Sequence, residues 1–225
     1  GYKIMGTNLP QVTVALEKVI LSYPHLIEKE PIGKYVETEE KRKYNATFMI
    51  SKSDENHMRI VKEFKEKFAQ LMIDAKLKTN AHELIKDGDE EWADIDDSTT
   101  EGKAKKEANA YKRGHFFIKA ANGFQPILTT FKNKEKFDMV KHKDLFYPGC
   151  YVHAIIELNP YKVDKKESKY KAIANRLHAV QFSKDGKRFG GVTLISGEST
   201  FDKFADEEDE GEDFIPADLL NRDLF

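Results

Sequence analysis

Segments in which apolar and polar side chains alternate recur from Val12 to Phe182, and one stretch alone has a helical period. That imbalance constrains the fold most. Strands that do not alternate with helices cannot be joined by βαβ crossovers and must pair antiparallel, in hairpins or a closed barrel. Val12 to Leu21 is rich in Val, Ile and Leu and broken by Tyr23-Pro24, which predicts a first strand ending at a turn. In Tyr44 to Ile50, the side chains of Tyr44, Ala46, Phe48 and Ile50 share one face, opposite Lys43, Asn45 and Thr47. His115 to Ala120, Gln125 to Thr130, Gly149 to Leu158 and Lys169 to Phe182 follow as strands, the last ending in the hairpin signal Lys184-Asp185-Gly186-Lys187. The helical stretch has Ser53 as its cap, Asp54 and Glu55 in its first turn, and Met58, Val61, Phe64, Phe68, Leu71, Met72 and Ala75 at helical spacing, to about Leu77. Asp87 to Glu91 reads as a turn and Ile95 to Ala110 as a polar, mobile loop. The expectation is a mainly β protein, a small antiparallel barrel with one inserted α-helix.

With 225 residues the chain can bury a core without cross-links, and its single cysteine, Cys150, excludes an intramolecular disulfide, so a reducing cytosol is expected. No apolar run approaches the roughly 20 residues that span a bilayer, and Gly1 to Pro10 has no apolar stretch of signal-peptide length, so no membrane partner is expected. The glycine spacing of a phosphate-binding loop is missing, and one Cys with seven scattered His does not give the spacing of a zinc site. No cofactor is expected, and Cys150 after Pro148-Gly149 reads as a small buried residue rather than a nucleophile. The enzyme alternative rests on Asp87, Asp89, Glu90 and Glu91 with Asp94, since clustered carboxylates can hold the divalent ions of a nuclease or recombination enzyme. These acids are adjacent in sequence rather than gathered from separate strands, and Asp-Gly is ordinary turn chemistry.

Charge is unevenly distributed. The formal net charge is -2, yet residues 205–225 carry nine acids against one base, Arg222, which leaves 36 bases and 30 acids, a charge of +6, on residues 1–204. A basic body with an acidic tail suits a polyanion ligand, although an acidic run taken alone is usually a solubilising segment. The tail also has apolar residues, Phe214-Ile215-Pro216, Leu219-Leu220 and Leu224-Phe225, which a purely solvating tail does not need. Such a peptide suits a basic groove with an apolar floor, with Phe214, Leu224 and Phe225 as its anchors. The domain organisation expected is therefore residues 1–204 as a binding domain and 205–225 as a disordered acidic tail.

Single-stranded nucleic acid is bound by cations for phosphates and flat side chains on which bases stack. Three strands offer both on the face opposite their apolar one. Tyr151, His153, Ile155 and Glu157 oppose Val152, Ala154, Ile156 and Leu158; His115, Phe117 and Lys119 oppose Phe116, Ile118 and Ala120; Tyr170, Arg176 and His178 oppose Ile173, Leu177 and Ala179. Candidate DNA contacts are Phe117, Lys119, Tyr151, His153, Tyr170 and Arg176, with Lys43 and Arg113 as further cations.

Four segments then carry a resemblance: Leu84 to Glu91, Gly114 to Ala120 with Pro126, Tyr147-Pro148-Gly149-Cys150-Tyr151 leading into Val152-His153-Ala154, and Lys184-Asp185-Gly186 with Gly190-Gly191. In that order they resemble a family of bacteriophage single-stranded-DNA-binding proteins, long catalogued as a domain of unknown function, across roughly residues 12–191. The resemblance implies an OB fold and coverage of single-stranded DNA in phage replication or recombination in the host cytoplasm. It further implies an acidic tail that recruits replication proteins such as DNA polymerase, no catalytic activity, and room for a homodimer. Lys169 to Leu177 lacks the Gly-Asn-rich stretch expected there, and Ile95 to Ala110 looks inserted.

Overall fold

In the computed structural model, residues 9–31 and 42–188 are described; all lie in the first of two units, Gly1–Gly190 and Gly191–Phe225. In chain order the elements are β1 (Val12–Pro31), β2 (Arg42–Ser51), α1 (Glu55–Asp74), β3 (Lys86–Asp87), α2 (Gly88–Ala93), α3 (Thr100–Ala108), β4 (His115–Asn122), β5 (Ile127–Thr129), β6 (Tyr151–Tyr161) and β7 (Ala172–Lys184), with 3₁₀ turns at Ala110–Lys112 and Phe131–Asn133.

β1 pairs antiparallel with both β2 and β6, β2 with β4, and β6 with β7. β4 meets β7 in parallel at Ala121 opposite Arg176, so β1-β2-β4-β7-β6 closes as a five-strand barrel of OB type, as expected. The seam is short, and side-chain amides complete it. Asn122 donates to the carbonyl of Leu177 at 2.9 Å, and Asn175 donates to those of Lys119 at 3.1 Å and Leu84 at 2.8 Å. Phe48, Leu16, Leu21, Ile118, Ile156 and Leu177 fill the interior, and α1 adds Phe64 and Leu71 to the same core. Each such side chain contributes about 1.5–3 kcal/mol of burial free energy.

One strand serves two partners because β1 is bent by bulges. Lys18 (φ 52°) and Tyr23 (φ 45°) are left-handed, and the pairing shifts register between Leu16 and Val19 against β6 and between Ser22 and His25 against β2. His57 of α1 pins the first bulge. Its Nδ1 accepts from the Ser51 N–H at 3.1 Å, which leaves Nε2 as the donor toward the carbonyls of Glu17 and Lys18 at 3.2 and 3.1 Å. The turn expected at Tyr23-Pro24 is therefore a bulge inside a 20-residue strand.

Three further expectations need correction. Asp54, not Ser53, caps α1, accepting from the N–H groups of Asn56 and His57, and Met58 lies on the exposed side of the helix. There are three α-helices among the described residues rather than one, since Asp87 caps α2 and Thr99 caps α3, within the stretches read as a turn and a loop. His178 is an extra residue in β7, with Ala179 opposite Ile155 and Leu177 opposite Ile156, so Val180 replaces Ala179 on the core face. The last strand ends at Lys184, and the partner of the expected hairpin lies outside the described residues, as does the acidic tail.

Candidate nucleic-acid interface

The strand register sets the outer face of the barrel. Lys86 lies opposite Phe117, Phe117 opposite Met49, Met49 opposite Ile20 and Ile20 opposite Tyr151, one continuous cross-strand row. In the next row Lys119 lies opposite Thr47 and Thr47 opposite Ser22. The β1 bulge then turns Tyr23 outward, 57% exposed.

Over one end of these rows lies the segment from α2 to the turn Ala110–Lys112. It can approach closely because position 88 is glycine. A Cβ there would overlap the carbonyl oxygen of Lys112 and stand 2.8 Å from the Phe117 ring. Tyr111 meets Phe117 edge-on, with ring centroids 6.3 Å apart and an interplanar angle of 76°, and its hydroxyl lies 3.4 Å from that of Tyr23. Burial, reinforced by the Tyr23 hydroxyl, pushes the Tyr111 phenol well above its ordinary value, so it stays protonated. The result is a groove of about 300 Å³ floored by Thr47, Phe117 and Lys119 and walled by Tyr23, Tyr111, Lys86 and Lys112. Two carboxylates, Glu83 and Glu91, line the same groove, and Glu91 is engaged by Lys86 at 3.5 Å and Lys112 at 3.4 Å. Lys119 is exposed and has no carboxylate partner among the described residues.

The residues singled out from the sequence separate accordingly. Phe117 and Lys119 lie in the groove, with Phe117 only 8% exposed and so a covered floor rather than an open platform. Tyr151 continues the Phe117 row beyond Ile20, with the Lys184 ammonium 4.6 Å from its ring centroid. His153 accepts the Lys18 N–H at 3.2 Å and braces the bulge. Arg176 lies 3.7 Å, and His178 2.5 Å, from the carboxylate of the buried Glu157. Tyr170 lies ahead of β7 against the Lys162 ammonium at 5.0 Å. Lys43 is exposed at the start of β2, opposite Glu30. Arg113 stacks on the Trp92 ring at 4.5 Å. Tyr23, Lys86, Tyr111 and Lys112 were missed. The run Tyr111-Lys112-Arg113 beside a strand was a signal available in the sequence. Phe214, Leu224 and Phe225 lie outside the described residues.

Three carboxylates of the enzyme alternative, Asp87, Asp89 and Glu91, are held in ion pairs. Asp87 caps α2 and meets Lys52 at 2.5 Å, while Asp89 meets Lys52 at 2.8 Å and accepts the Gly114 N–H at 3.0 Å. Burial works to raise the Asp87 carboxyl, but Lys52 and the backbone N–H groups of Asp89 and Glu90 outweigh it and hold it below its ordinary value. No group of three or more potential metal ligands occurs among the described residues. Cys150 is buried at the start of β6, and burial pushes its thiol up to about 11, so it carries no thiolate near neutrality.

Barrel and groove together define an OB-fold protein with an aromatic, basic platform on its outer face. The family model described as the ssDNA-binding protein of Enterobacter phage Enc34 matches residues 12–215, and the chain belongs to that family. Among solved structures, the single-stranded DNA-binding protein from bacteriophage Enc34 in complex with ssDNA is 25% identical with a TM-score of 0.57, over 79% of this chain and 89% of that one. A C-terminal truncation of the same phage protein is also 25% identical, with a TM-score of 0.56 over 79% and 88% of the two chains. Another structure of it, at 23% identity and a TM-score of 0.52 over 84% and 89%, shares the fold. No curated protein matches the sequence.

Proposed function

We propose that this chain binds and protects single-stranded DNA during phage DNA replication or recombination in the host cytoplasm, without catalysing a reaction. The observation that carries the reading is the groove, where Tyr23, Tyr111 and Phe117 converge with Lys86, Lys112 and Lys119 on the outer face of β1, β2 and β4. Bases stack against the tyrosines, and the lysines meet the phosphates that lead in and out. The selectivity is physical. A duplex hides the base faces, so only unpaired bases can enter, whereas phosphates of either form are attracted. Tyr151 and Lys184 continue the platform along the Phe117 row. Residues 205–225 serve as an acidic tail through which Phe214, Leu224 and Phe225 reach replication proteins such as DNA polymerase. No helix among the described residues is long and apolar enough to cross a membrane.

A titration of oligo-dT and of a matched duplex at two salt concentrations, with Mg²⁺ present, tests the reading. Tighter binding of the single strand, weakening as salt rises and with the oligonucleotide intact, is expected. Equal affinity for duplex and single strand overturns it, and cleavage that disappears when Asp87 and Asp89 become Asn favours the nuclease.

A further inference from the structure

Beyond the groove, three aromatic side chains at one end of the β6–β7 pair each stand beside a cation. The Lys184 ammonium is 4.6 Å from the Tyr151 centroid, the Arg188 guanidinium 4.6 Å from that of Tyr147, and the Lys132 and Lys134 ammonium groups 5.2 and 5.4 Å from that of Phe131. The backbone ties them together. The Tyr147 hydroxyl accepts the Gly186 N–H at 3.0 Å and donates to Asp185 at 2.8 Å, and a Cβ on Gly186 would stand 3.0 Å from the Tyr151 ring. The two tyrosines therefore flank one short stretch of chain. β5 runs parallel to β7 with Thr129 opposite Gln181, so the turn carrying Phe131 lies beside the last residues of β7 and packs on them.

That turn is built at a cost. Lys132 (φ 50°) and Asn133 (φ 52°) are consecutive left-handed residues, neither of them glycine, a conformation that persists only where the surroundings enforce it. The enforcement comes from the buried Thr130, whose hydroxyl donates to the Glu135 carbonyl at 2.8 Å and accepts the Glu135 N–H at 3.3 Å. The strained turn holds Phe131 39% exposed between two lysines. The nearby acids are engaged elsewhere, since Asp185 meets Tyr147, and Glu135 meets Lys141 and His142. Lys132, Lys134, Lys184, Lys187 and Arg188 are all exposed.

We propose that these three pairs form a second single-strand lane, which takes a further segment of the same DNA strand whose first segment occupies the groove; this rests on the function proposed above. The register makes the two continuous. Tyr151 and Phe117 lie in one row across β6, β1, β2 and β4, and Lys184 of β7 lies opposite Tyr151, so the lane begins where that row ends. In the lane a base stacks on the open face of Phe131 or Tyr147, and the cation beside the ring turns to the adjoining phosphate.

The test compares the full chain with Phe131→Ala and with the double variant Lys132→Glu, Lys134→Glu, on exposed side chains, using oligo-dT of about 8 and about 20 nucleotides to bracket an OB-fold site. The lane predicts unchanged affinity for the short oligonucleotide, at least a tenfold loss for the long one, and a log-log salt slope for the long one that is shallower by about 1.4 in the double variant, two phosphates' worth. An equal loss at both lengths assigns the turn to the groove or to the fold and overturns the lane, and so does no loss at either length. Failure of the unaltered chain to bind either oligonucleotide would instead refute the proposed function.

Discussion

Tyr23 separates the contribution of stacking from that of folding. It stands on the β1 bulge, 57% exposed, with φ 45°, so its ring contributes little to the core while its backbone bears a conformation that suits glycine. Tyr23→Gly then deletes the ring without straining the bulge, and removes the hydroxyl that lies 3.4 Å from that of Tyr111. Stacking of one base on one aromatic ring is worth about 1–3 kcal/mol, so the dissociation constant for oligo-dT should rise about 5- to 150-fold. Phe117 gives the contrast. At 8% exposure, beneath Tyr111 and against Gly88, its truncation to Ala should cost about 3–5 kcal/mol of stability before any effect on DNA. Fluorescence anisotropy at moderate salt, with thermal melts of both variants, reads the two effects apart. Should Tyr23→Gly bind oligo-dT within twofold of the parent, or should it melt as far below the parent as Phe117→Ala does, Tyr23 is not a stacking platform and the groove is wrongly placed.

Lys119→Ala should leave melting unchanged and make the log-log salt slope for oligo-dT shallower by about 0.7, one phosphate contact, as measured by titration at several salt concentrations. Acid should weaken the β3–α2 region. Asp87 and Asp89 are held below their ordinary value of 3.8, so their stabilisation is complete above that pH and is lost as pH falls through their lower folded-state values; Lys52→Met should melt below the parent near neutral pH, and the gap should close in chemical denaturation below pH 3.8. Gly149 has φ 104°, and a Cβ there would overlap the carbonyl oxygen of Lys187, so Gly149→Ala should lower the melting temperature by several degrees in a thermal melt. A Gly149→Ala protein that melts with the parent would show that residues 185–188 are free to move off Tyr147.

The fold was legible wherever one face of a strand is buried and its period is regular. Ala46, Phe48 and Ile50 in β2, and Val152, Ala154, Ile156 and Leu158 in β6, lie in the core as expected, although Asn45, Met49 and Glu157 on the opposite faces are buried as well. Legibility failed at bulges. An extra residue leaves composition unchanged and inverts every side chain beyond it, so Ala179 was assigned to a face that belongs to Val180, and Tyr23-Pro24 read as the end of a strand that continues to Pro31. The short helices failed for another reason. α3 buries none of its residues and so has no apolar stripe to find, while α2, six residues long, is fixed by its Asp87 cap and by the absence of a Cβ at Gly88.

The candidate site was only half legible, because its two walls come from different kinds of sequence signal. Phe117 and Lys119 follow from the period of β4, but what covers Phe117 is Tyr111, six residues away in a turn with no period of its own. Tyr23 projects into the groove only because the bulge takes it out of strand alternation. Regular strand register alone would leave a nearly flat outer face with rows such as Lys119–Thr47–Ser22, which offers cations but no slot for a base. On the function proposed here, selectivity for unpaired bases would depend on the two irregularities, the β1 bulge and the Gly88 contact. An alanine at Gly88 should then relax discrimination between single strand and duplex more than it reduces attraction to phosphate, since it lifts the wall carrying Tyr111 and Lys112 off the strands and leaves Lys119 in position.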